Sequence, residues 1–277
     1  MHGSDSSAAF AGEGAAAGRL TGRGSGRWGV LRRASDALLC VIFAPCCAAC
    51  RNPLEAPAMS AVCDACWNAI RPPAPPFCRV CGDALVSWRT PHRDGERCPQ
   101  CRLARRSIAC GRALGHYDGA LRDILHAFKY EGRRSIGKQL SALMRRQGQA
   151  VLAGADVVVP VPLHWRRRWR RGFNQSDELA SGLGLPVLPA LRRRRHTSSQ
   201  ADLPAHARQA NVRNAFRVRR GTGARVRGAC VVLVDDVSTT GATLEACAEA
   251  LVRAGAREVR TLTAARVATR LPAARPR

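Results

Sequence analysis

Two adjacent carboxylates, Asp235 and Asp236, end a run of apolar and β-branched residues in the stretch VVLVDDVSTTGAT. Such a run predicts a buried parallel strand, which would place both carboxylates at its carboxyl end. The polar turn that follows would open a helix whose free backbone N–H groups and positive dipole end attract an anion. These groups suit a phosphate monoester, and the carboxylates suit the two vicinal hydroxyls of a ribose. The turn contains Ser238, Thr239, Thr240, Gly241, Ala242 and Thr243.

Two simpler interpretations of this stretch remain open. The carboxylates would also serve as a helix cap or a Mg²⁺ site, and the threonines would also occur in an ordinary turn. The apolar strand before the carboxylates and the T-T-G-x-T pattern after them together favour a sugar-phosphate site. The stretch closely resembles the phosphoribosyl-diphosphate (PRPP) binding motif of type I phosphoribosyltransferases.

Four C-x-x-C pairs precede this part of the chain and predict two structural zinc ions. A disulfide framework is the alternative, but regular pairs and the lack of a secretory signal favour metal. Sequential pairing, first with second and third with fourth, is the preferred arrangement, and cross-braced pairing uses the same residues. Cys46 is an alternative ligand to its neighbour Cys47. The predicted ligands are Cys47, Cys50, Cys63, Cys66, Cys78, Cys81, Cys98 and Cys101, whereas Cys40, Cys110, Cys230 and Cys247 are expected in the core.

The formal net charge of +25 comes almost wholly from arginine, since Lys129 and Lys138 are the only lysines. A compositional bias of the coding genome and a polyanionic partner, such as nucleic acid or a phosphorylated substrate, both account for this excess.

No apolar stretch is long enough to span a bilayer. The short apolar stretch 37–44 runs into the cysteines rather than a cleavage site, so we expect a cytoplasmic protein.

Alternating strand and helix patterns follow Cys110 and predict an α/β fold, a parallel sheet with helices on both faces. Its ligand is expected outside the carboxyl ends of the strands. The predicted strands cover 113–117, 156–161, 231–234 and 257–265, and the predicted helices cover 120–130, 136–152, 175–182 and 242–254. A further amphipathic helix is predicted over 28–43, residues 1–26 are expected to be disordered, and residues 266–277 to form a loose tail.

Two further segments are candidates for contacting a diphosphate. The rigid loop Pro160, Val161 and Pro162 follows the second predicted strand, and its amides would line a pocket. Asn174 is a candidate N-cap of the helix after it, and His164 is a weak candidate for the diphosphate. The polar segment from Arg195 to Phe216 predicts a mobile flap over the site.

The motifs F-K-Y, P-V-P-L, R-R-G-F-N-Q, T-x-x-Q…N-A-F and V-D-D-V-x-T-T-G-A-T follow the cysteine pairs in this order. This arrangement resembles the ComF family of phosphoribosyltransferase-like proteins, including the GntX type, which is associated with DNA uptake in natural competence. The resemblance implies a type I phosphoribosyltransferase fold behind a double zinc ribbon. It implies domains over 37–110 and 111–267, flanked by tails over 1–36 and 268–277.

The resemblance also implies a mechanism, the displacement of diphosphate from PRPP with Mg²⁺ bound alongside. Asp235 and Asp236 would hold the ribose hydroxyls, and Lys129 and Arg195 would contact PRPP. Single-stranded DNA and proteins of the competence machinery are the implied partners. The rival hypothesis keeps the fold without turnover: a zinc-ribbon adaptor that binds nucleic acid through its basic surface and its phosphate pocket.

Overall fold

The computed structural model describes residues 45–85, 97–103, 106–163, 169, 172–193 and 215–267. Four parallel strands form its central sheet: β1 Cys110–His116, β2 Val157–Pro160, β5 Cys230–Ser238 and β6 Glu258–Arg266. Their order in the sheet is β1-β6-β5-β2, so β5 is an inner strand. Residues 230–234 of β5 are fully buried, as expected for a parallel strand covered on both faces. The predicted α/β sheet is confirmed.

Helices cover both faces of this sheet. The sheet contributes Val232 and Leu262 to a first apolar core, and Val231 and Leu233 to a second apolar core. The helices are α1 Asp64–Asn68, α2 Pro99–Leu103, α3 Gly119–Tyr130, α4 Ser135–Gln147, α5 Gln149–Leu152, α6 Gln175–Ser181, α7 Gly223–Val226 and α8 Ala242–Arg253. The first core contains α3, α4 and α6, and the second contains α8.

The predicted elements agree with these bounds to within a few residues, with two differences. The helix predicted over 136–152 is divided at Gly148, where a Cβ would lie 2.7 Å from both Met144 O and a methyl carbon of Leu262. Close packing on the sheet therefore overrides the continuous apolar pattern. Arg266, predicted to begin a loose tail, is instead the buried last residue of β6.

A short antiparallel pair, β3 Leu191–Arg193 with β4 Phe216–Val218, was absent from the sequence prediction. The sequence predicts Phe216 in the mobile flap, whereas the structure shows that it is 1% exposed and packs in the core around α8. An aromatic side chain of this size contributes about 2 kcal/mol when buried, which explains why the end of the segment is fixed. The described residues do not include residues 195–214 of the predicted flap, the predicted helix over 28–43, or the predicted tails over 1–36 and 268–277.

The cysteine-rich residues pack directly on the α/β domain. Leu54 and Val62 join the apolar core beneath α3 and α4. Arg51 forms an ion pair of 2.9 Å with Glu131 just after α3, and Ser60 Oγ donates to Gln139 Oε1 of α4 at 3.0 Å.

In the described part of the chain, none of the helices has the length and apolar character needed to cross a membrane.

Candidate functional site

Asp235 and Asp236 lie near the carboxyl end of strand β5, as the sequence predicts. Both residues still belong to the strand, which continues to Ser238, and both are partly buried. The buried apolar run before them pairs with β2 and β6, and this places the carboxylate pair at the carboxyl end of the inner strand. The two carboxylates then differ in their contacts.

Asp235 is the more enclosed of the two carboxylates. Its Oδ1 accepts hydrogen bonds from Ser176 Oγ at 3.0 Å and from the backbone N–H of Asp236 at 2.9 Å. Burial, and then the neighbouring Asp236 carboxylate, raise the pKa of Asp235 to about 7 despite these donors. A carboxyl group with a pKa near neutrality binds and releases a proton at working pH, which is typical of functional sites.

Asp236 forms the site's ion pair. Its Oδ2 lies 3.0 Å from Lys129 Nζ, and the two side chains are only 15% and 12% exposed. Lys129 belongs to the last turn of α3, so this pair links the helix to the carboxyl end of β5. The structure thus brings together Lys129 and the carboxylates, although they are far apart in the sequence. Partly buried pairs of this kind are screened little by salt.

The turn after β5 leads into α8 through Gly241. Its φ of +75° is the left-handed conformation that glycine adopts readily, which explains the requirement for this residue. Among the described residues, no acceptor contacts the backbone N–H groups of Thr239, Thr240 and Gly241. The N–H of Ala242, the first residue of α8, donates to Thr240 Oγ1 at 3.4 Å. We name the N–H groups of Thr239, Thr240 and Gly241 the phosphate cup, because backbone donors before a helix start suit a phosphate.

Ser238 is also predicted to contact phosphate, but in the structure its side chain is buried. It is 4% exposed, and its Oγ accepts a hydrogen bond of 3.3 Å from Arg266 Nη1. Arg266 in turn pairs with Asp83, with 3.2 Å between Nε and Oδ1. The Ser238 hydroxyl therefore lies beneath the turn and supports it. Neither Arg266 nor Asp83 was identified from the sequence, and no motif marks them.

The predicted loop begins at Pro160, which the structure places as the last residue of β2 beside β5, and continues with Val161 and Pro162. Val161 is 5% exposed and donates its N–H to Val234 O at 2.9 Å, so this amide does not line a pocket as predicted. Its carbonyl accepts from Asn174 Nδ2 at 3.2 Å. Asn174 occupies the predicted N-cap position of α6, but its side chain ties the loop to the helix instead of capping it.

Ser176 directly follows the motif R-G-F-N-Q, but the motif alone does not indicate a role for this residue. It lies in the first turn of α6 and is 2% exposed, with its hydroxyl directed at Asp235. Arg195 and His164, both predicted to contact PRPP or its diphosphate, lie outside the described residues.

The eight predicted cysteine ligands form two clusters, and in each the sulfur atoms lie within 4.8 Å of one another. A tetrahedral zinc ion with Zn–S distances of about 2.3 Å separates its sulfurs by about 3.8 Å. The observed Sγ–Sγ separations are 3.9 Å for Cys47 and Cys66, 3.7 Å for Cys50 and Cys63, and 3.7 Å for Cys81 and Cys98. The donor set and its spacing thus fit zinc, with the predicted sequential pairing. We name the clusters the first ribbon (Cys47, Cys50, Cys63, Cys66) and the second ribbon (Cys78, Cys81, Cys98, Cys101).

Backbone donors prepare the first ribbon for a metal. Burial alone would raise the pKa of the Cys47 thiol. Hydrogen bonds from the backbone N–H groups of Cys63 and Ala49 help to lower this pKa to about 6. A thiolate is the form that binds zinc. Cys46 lies outside the cluster and is exposed, which settles the choice between the two neighbouring cysteines.

Two family models match the chain: a double zinc ribbon domain over residues 38–102 and a phosphoribosyl transferase domain over residues 168–275. Among solved structures, the allosteric regulatory enzyme of purine biosynthesis is 26% identical over 46% of this chain and 26% of that chain, with a TM-score of 0.31. The fold assignment depends on the observed sheet and on the family match.

Three relatives are similar over most of their length. DNA utilization protein YhgH of Escherichia coli (strain K12) is 34% identical over 70% of this chain and 93% of the relative. Competence protein F of Haemophilus influenzae is 31% identical over 79% of this chain and 96% of the relative. Competence protein ComFC of Streptococcus pneumoniae is 25% identical over 62% of this chain and 81% of the relative. The chain therefore belongs to the ComF family, with a double zinc ribbon ahead of a phosphoribosyltransferase domain.

Proposed function

We propose that this protein binds PRPP together with Mg²⁺ and displaces its diphosphate. The observation that carries the proposal is the carboxylate pair of Asp235 and Asp236 beside the unpaired amides that lead into α8. Carboxylates accept hydrogen bonds from hydroxyls, and amides at a helix start donate to phosphate oxygens. A ribose 5-phosphate unit presents both partners in the same order along its length.

The carboxylates also suit the magnesium that PRPP carries. Oxygen donors are the ligands Mg²⁺ prefers, and it usually binds through one or two carboxylates together with substrate phosphates. When bound, Mg²⁺ neutralises charge on the diphosphate. In this chain, Lys129 holds positive charge beside Asp236 at 3.0 Å, and Ser176 keeps Asp235 oriented by its hydrogen bond.

The proposed reaction breaks the bond between the anomeric carbon and the diphosphate oxygen and forms one from that carbon to an incoming nucleophile. Positive charge develops on the ribose ring in an oxocarbenium-like transition state, and the diphosphate leaves with the bonding electrons. Carboxylates that hold the ribose hydroxyls lie on the side of the ring where they stabilise this positive charge. Asp235 and Asp236 are therefore the proposed catalytic residues, and the loop at Pro160 shapes the diphosphate side.

Diphosphate release tests the proposal. Wild-type protein is incubated with PRPP, Mg²⁺ and a panel of nitrogen nucleophiles, and free diphosphate is measured with an inorganic pyrophosphatase assay. We expect release that falls at least about a hundredfold in Asp235→Asn/Asp236→Asn, which retains the size of both side chains. Tight PRPP binding with equal release from both proteins would show a PRPP sensor instead of a transferase.

A second function concerns nucleic acid. The net charge of +25 and the relatives named for DNA utilization and competence support a role with single-stranded DNA in uptake or processing. Such a contact would be dominated by phosphates and sensitive to salt. Fluorescence anisotropy of a labelled single strand, measured from 50 mM to about 300 mM salt with and without PRPP, tests it. Affinity that survives high salt would contradict an electrostatic contact, and competition by PRPP would place DNA in the phosphate cup.

The cysteine clusters support a cytoplasmic location. Zinc requires thiolates, and thiols remain reduced in the cytoplasm, whereas disulfides form in oxidising compartments. None of the twelve cysteines among the described residues forms a disulfide. We therefore propose that the protein, with domains over 37–110 and 111–267, works inside the cell beside proteins of the competence machinery.

A further inference from the structure

Arg266 joins the second ribbon to the turn that carries the proposed phosphate cup. Its guanidinium is nearly enclosed, with the residue 6% exposed at the end of β6. Nη1 donates to Ser238 Oγ at 3.3 Å, Nε lies 3.2 Å from Asp83 Oδ1, and Nη2 donates to Asp83 Oδ2 at 3.4 Å. The pair is an ion pair with one hydrogen bond, from Nη2, because Nε lies close to the carboxylate without donating a hydrogen bond among the described residues.

Asp83 owes its position to the second ribbon. It follows Cys81 by two residues, and its carbonyl accepts the N–H of Cys78 at 2.6 Å. Gly82 between them has a φ of +73°, and a Cβ at Gly82 would lie 3.0 Å from Gly111 O of β1. The turn that holds two zinc ligands is thereby pressed against the sheet, and the carboxylate of Asp83 is directed at Arg266.

Ser238 forms the other end of this connection. Its carbonyl accepts the N–H of Val267 at 2.9 Å, and its Oγ lies 3.9 Å from the position a Cβ would take on Gly241. The hydroxyl therefore supports the turn from below. One cavity is lined both by Cys81 and Cys101 of the second ribbon and by Thr240 and Gly241 of the turn. Arg266 also lines it.

Charge explains why an arginine is needed there. Four thiolates around one Zn²⁺ leave a net charge of about −2, which repels a phosphate at the adjacent turn. A buried guanidinium between the two opposes this repulsion. The ion pair with Asp83 also keeps the guanidinium paired, since an unpaired buried charge is costly.

We propose that Asp83 and Arg266 are positioning residues for the phosphate cup, so that the second ribbon forms part of the sugar-phosphate site. The inference rests on the proposed function, because it concerns affinity for PRPP. Asp83 acts through Arg266 on Ser238, and Ser238 holds the turn that presents the amides. The first ribbon has no such link among the described residues: it packs under α3 and α4, away from Gly241.

Isothermal titration of Mg·PRPP into Asp83→Asn tests the inference, with Asp64→Asn as the matched control. Asp64 is the exposed carboxylate next to Cys63 of the first ribbon. We expect Asp83→Asn to weaken the affinity about tenfold while both zinc ions remain, as measured by elemental analysis, and Asp64→Asn to bind as wild type does. Unchanged affinity in a zinc-loaded Asp83→Asn would overturn the inference alone. A wild-type protein that does not bind PRPP would overturn the proposed function as well.

A double-mutant cycle separates positioning from general loosening of the fold. In the Ser238→Ala background, Asp83→Asn should cost less than about twofold, because the path to the turn is already cut. Losses that simply multiply would contradict the proposed path. Should Asp83→Asn lose zinc, Arg266→Lys replaces it in the same cycle, since it leaves the ribbon unchanged; the same tenfold loss is expected, and wild-type affinity would overturn the inference.

Discussion

Lys129 Nζ lies 3.0 Å from Asp236 Oδ2 at the carboxyl end of the inner strand β5, and both side chains are largely enclosed. The pair brings the end of α3 to the centre of the proposed ribose site. It compensates one of two adjacent carboxylates, which would otherwise repel each other at close range. The second carboxylate, Asp235, is left with a raised pKa.

Replacing Lys129 should weaken PRPP binding. In Lys129→Gln the positive charge beside Asp236 is lost, so we expect affinity for Mg·PRPP to fall about tenfold, equivalent to about 1.4 kcal/mol. Isothermal titration measures the change. The chain supplies a matched control, because Lys138→Gln removes the only other lysine from an exposed position on α4. Equal affinities of the two variants would contradict a role for Lys129 in the site.

The affinity for PRPP should depend on the protonation of Asp235. Its folded pKa of about 7 means that the carboxylate is mostly protonated at pH 6 and mostly ionised at pH 8. Because the ionised form is the better acceptor for ribose hydroxyls, affinity should rise across this interval. The ligand's own phosphate also titrates, so the slope is compared with that of Asp235→Asn. Identical slopes would exclude Asp235 as the titrating group.

The same pKa affects stability in the opposite sense. Asp235 has a folded pKa of about 7 and an ordinary value of 3.8, so the folded protein holds a proton that the unfolded chain releases between these values. This group therefore lowers stability as pH rises from about 4 to about 7. Asp235→Asn removes the effect and should raise the free energy of unfolding at pH 8 by about 1–2 kcal/mol, with little change at pH 4.

Urea unfolding at the two pH values checks this prediction. The Asn side chain retains an acceptor for Ser176 and for the N–H of Asp236, so the hydrogen bonds remain in place. A variant that is less stable than wild type at pH 8 would show that the Asp235 carboxylate is stabilising in the fold.

Zinc content should follow the cluster geometry. Wild-type protein should hold two zinc ions, and Cys47→Ser should hold one, because a ribbon with three thiolates binds zinc much more weakly. Cys46→Ser is the control, since Cys46 lies outside the cluster. Elemental analysis after dialysis measures the ratio. Loss of zinc from Cys46→Ser with retention in Cys47→Ser would reverse the assigned ligands.

Local patterns in the sequence were enough to predict β5, the turn and the two cysteine clusters. Each is encoded by neighbours along the chain: an apolar run before Asp235, a glycine where φ is positive at Gly241, and paired cysteines at metal-ligand spacing. The resemblance to the ComF family, carried by these motifs, is confirmed by the family models and by the relatives.

Contacts between distant residues were not predicted. Arg266 and Asp83 are 183 positions apart, and Ser176 and Asp235 are 59 apart. Polar residues of this kind are common on surfaces, and only the fold shows that these are enclosed and paired. The fixed position of Phe216 has the same origin, because a short strand acquires its stability from packing on α8 rather than from its own residues.

Titration of Mg·PRPP into the wild-type protein and into Asp235→Ala/Asp236→Ala tests the central claim most directly. The account predicts saturable binding to the wild type with one ligand per chain, and an affinity at least about a hundredfold weaker in the double variant, or about 3 kcal/mol, with zinc content unchanged. Equal affinities for the two proteins would contradict the placement of a sugar phosphate between these carboxylates and the start of α8.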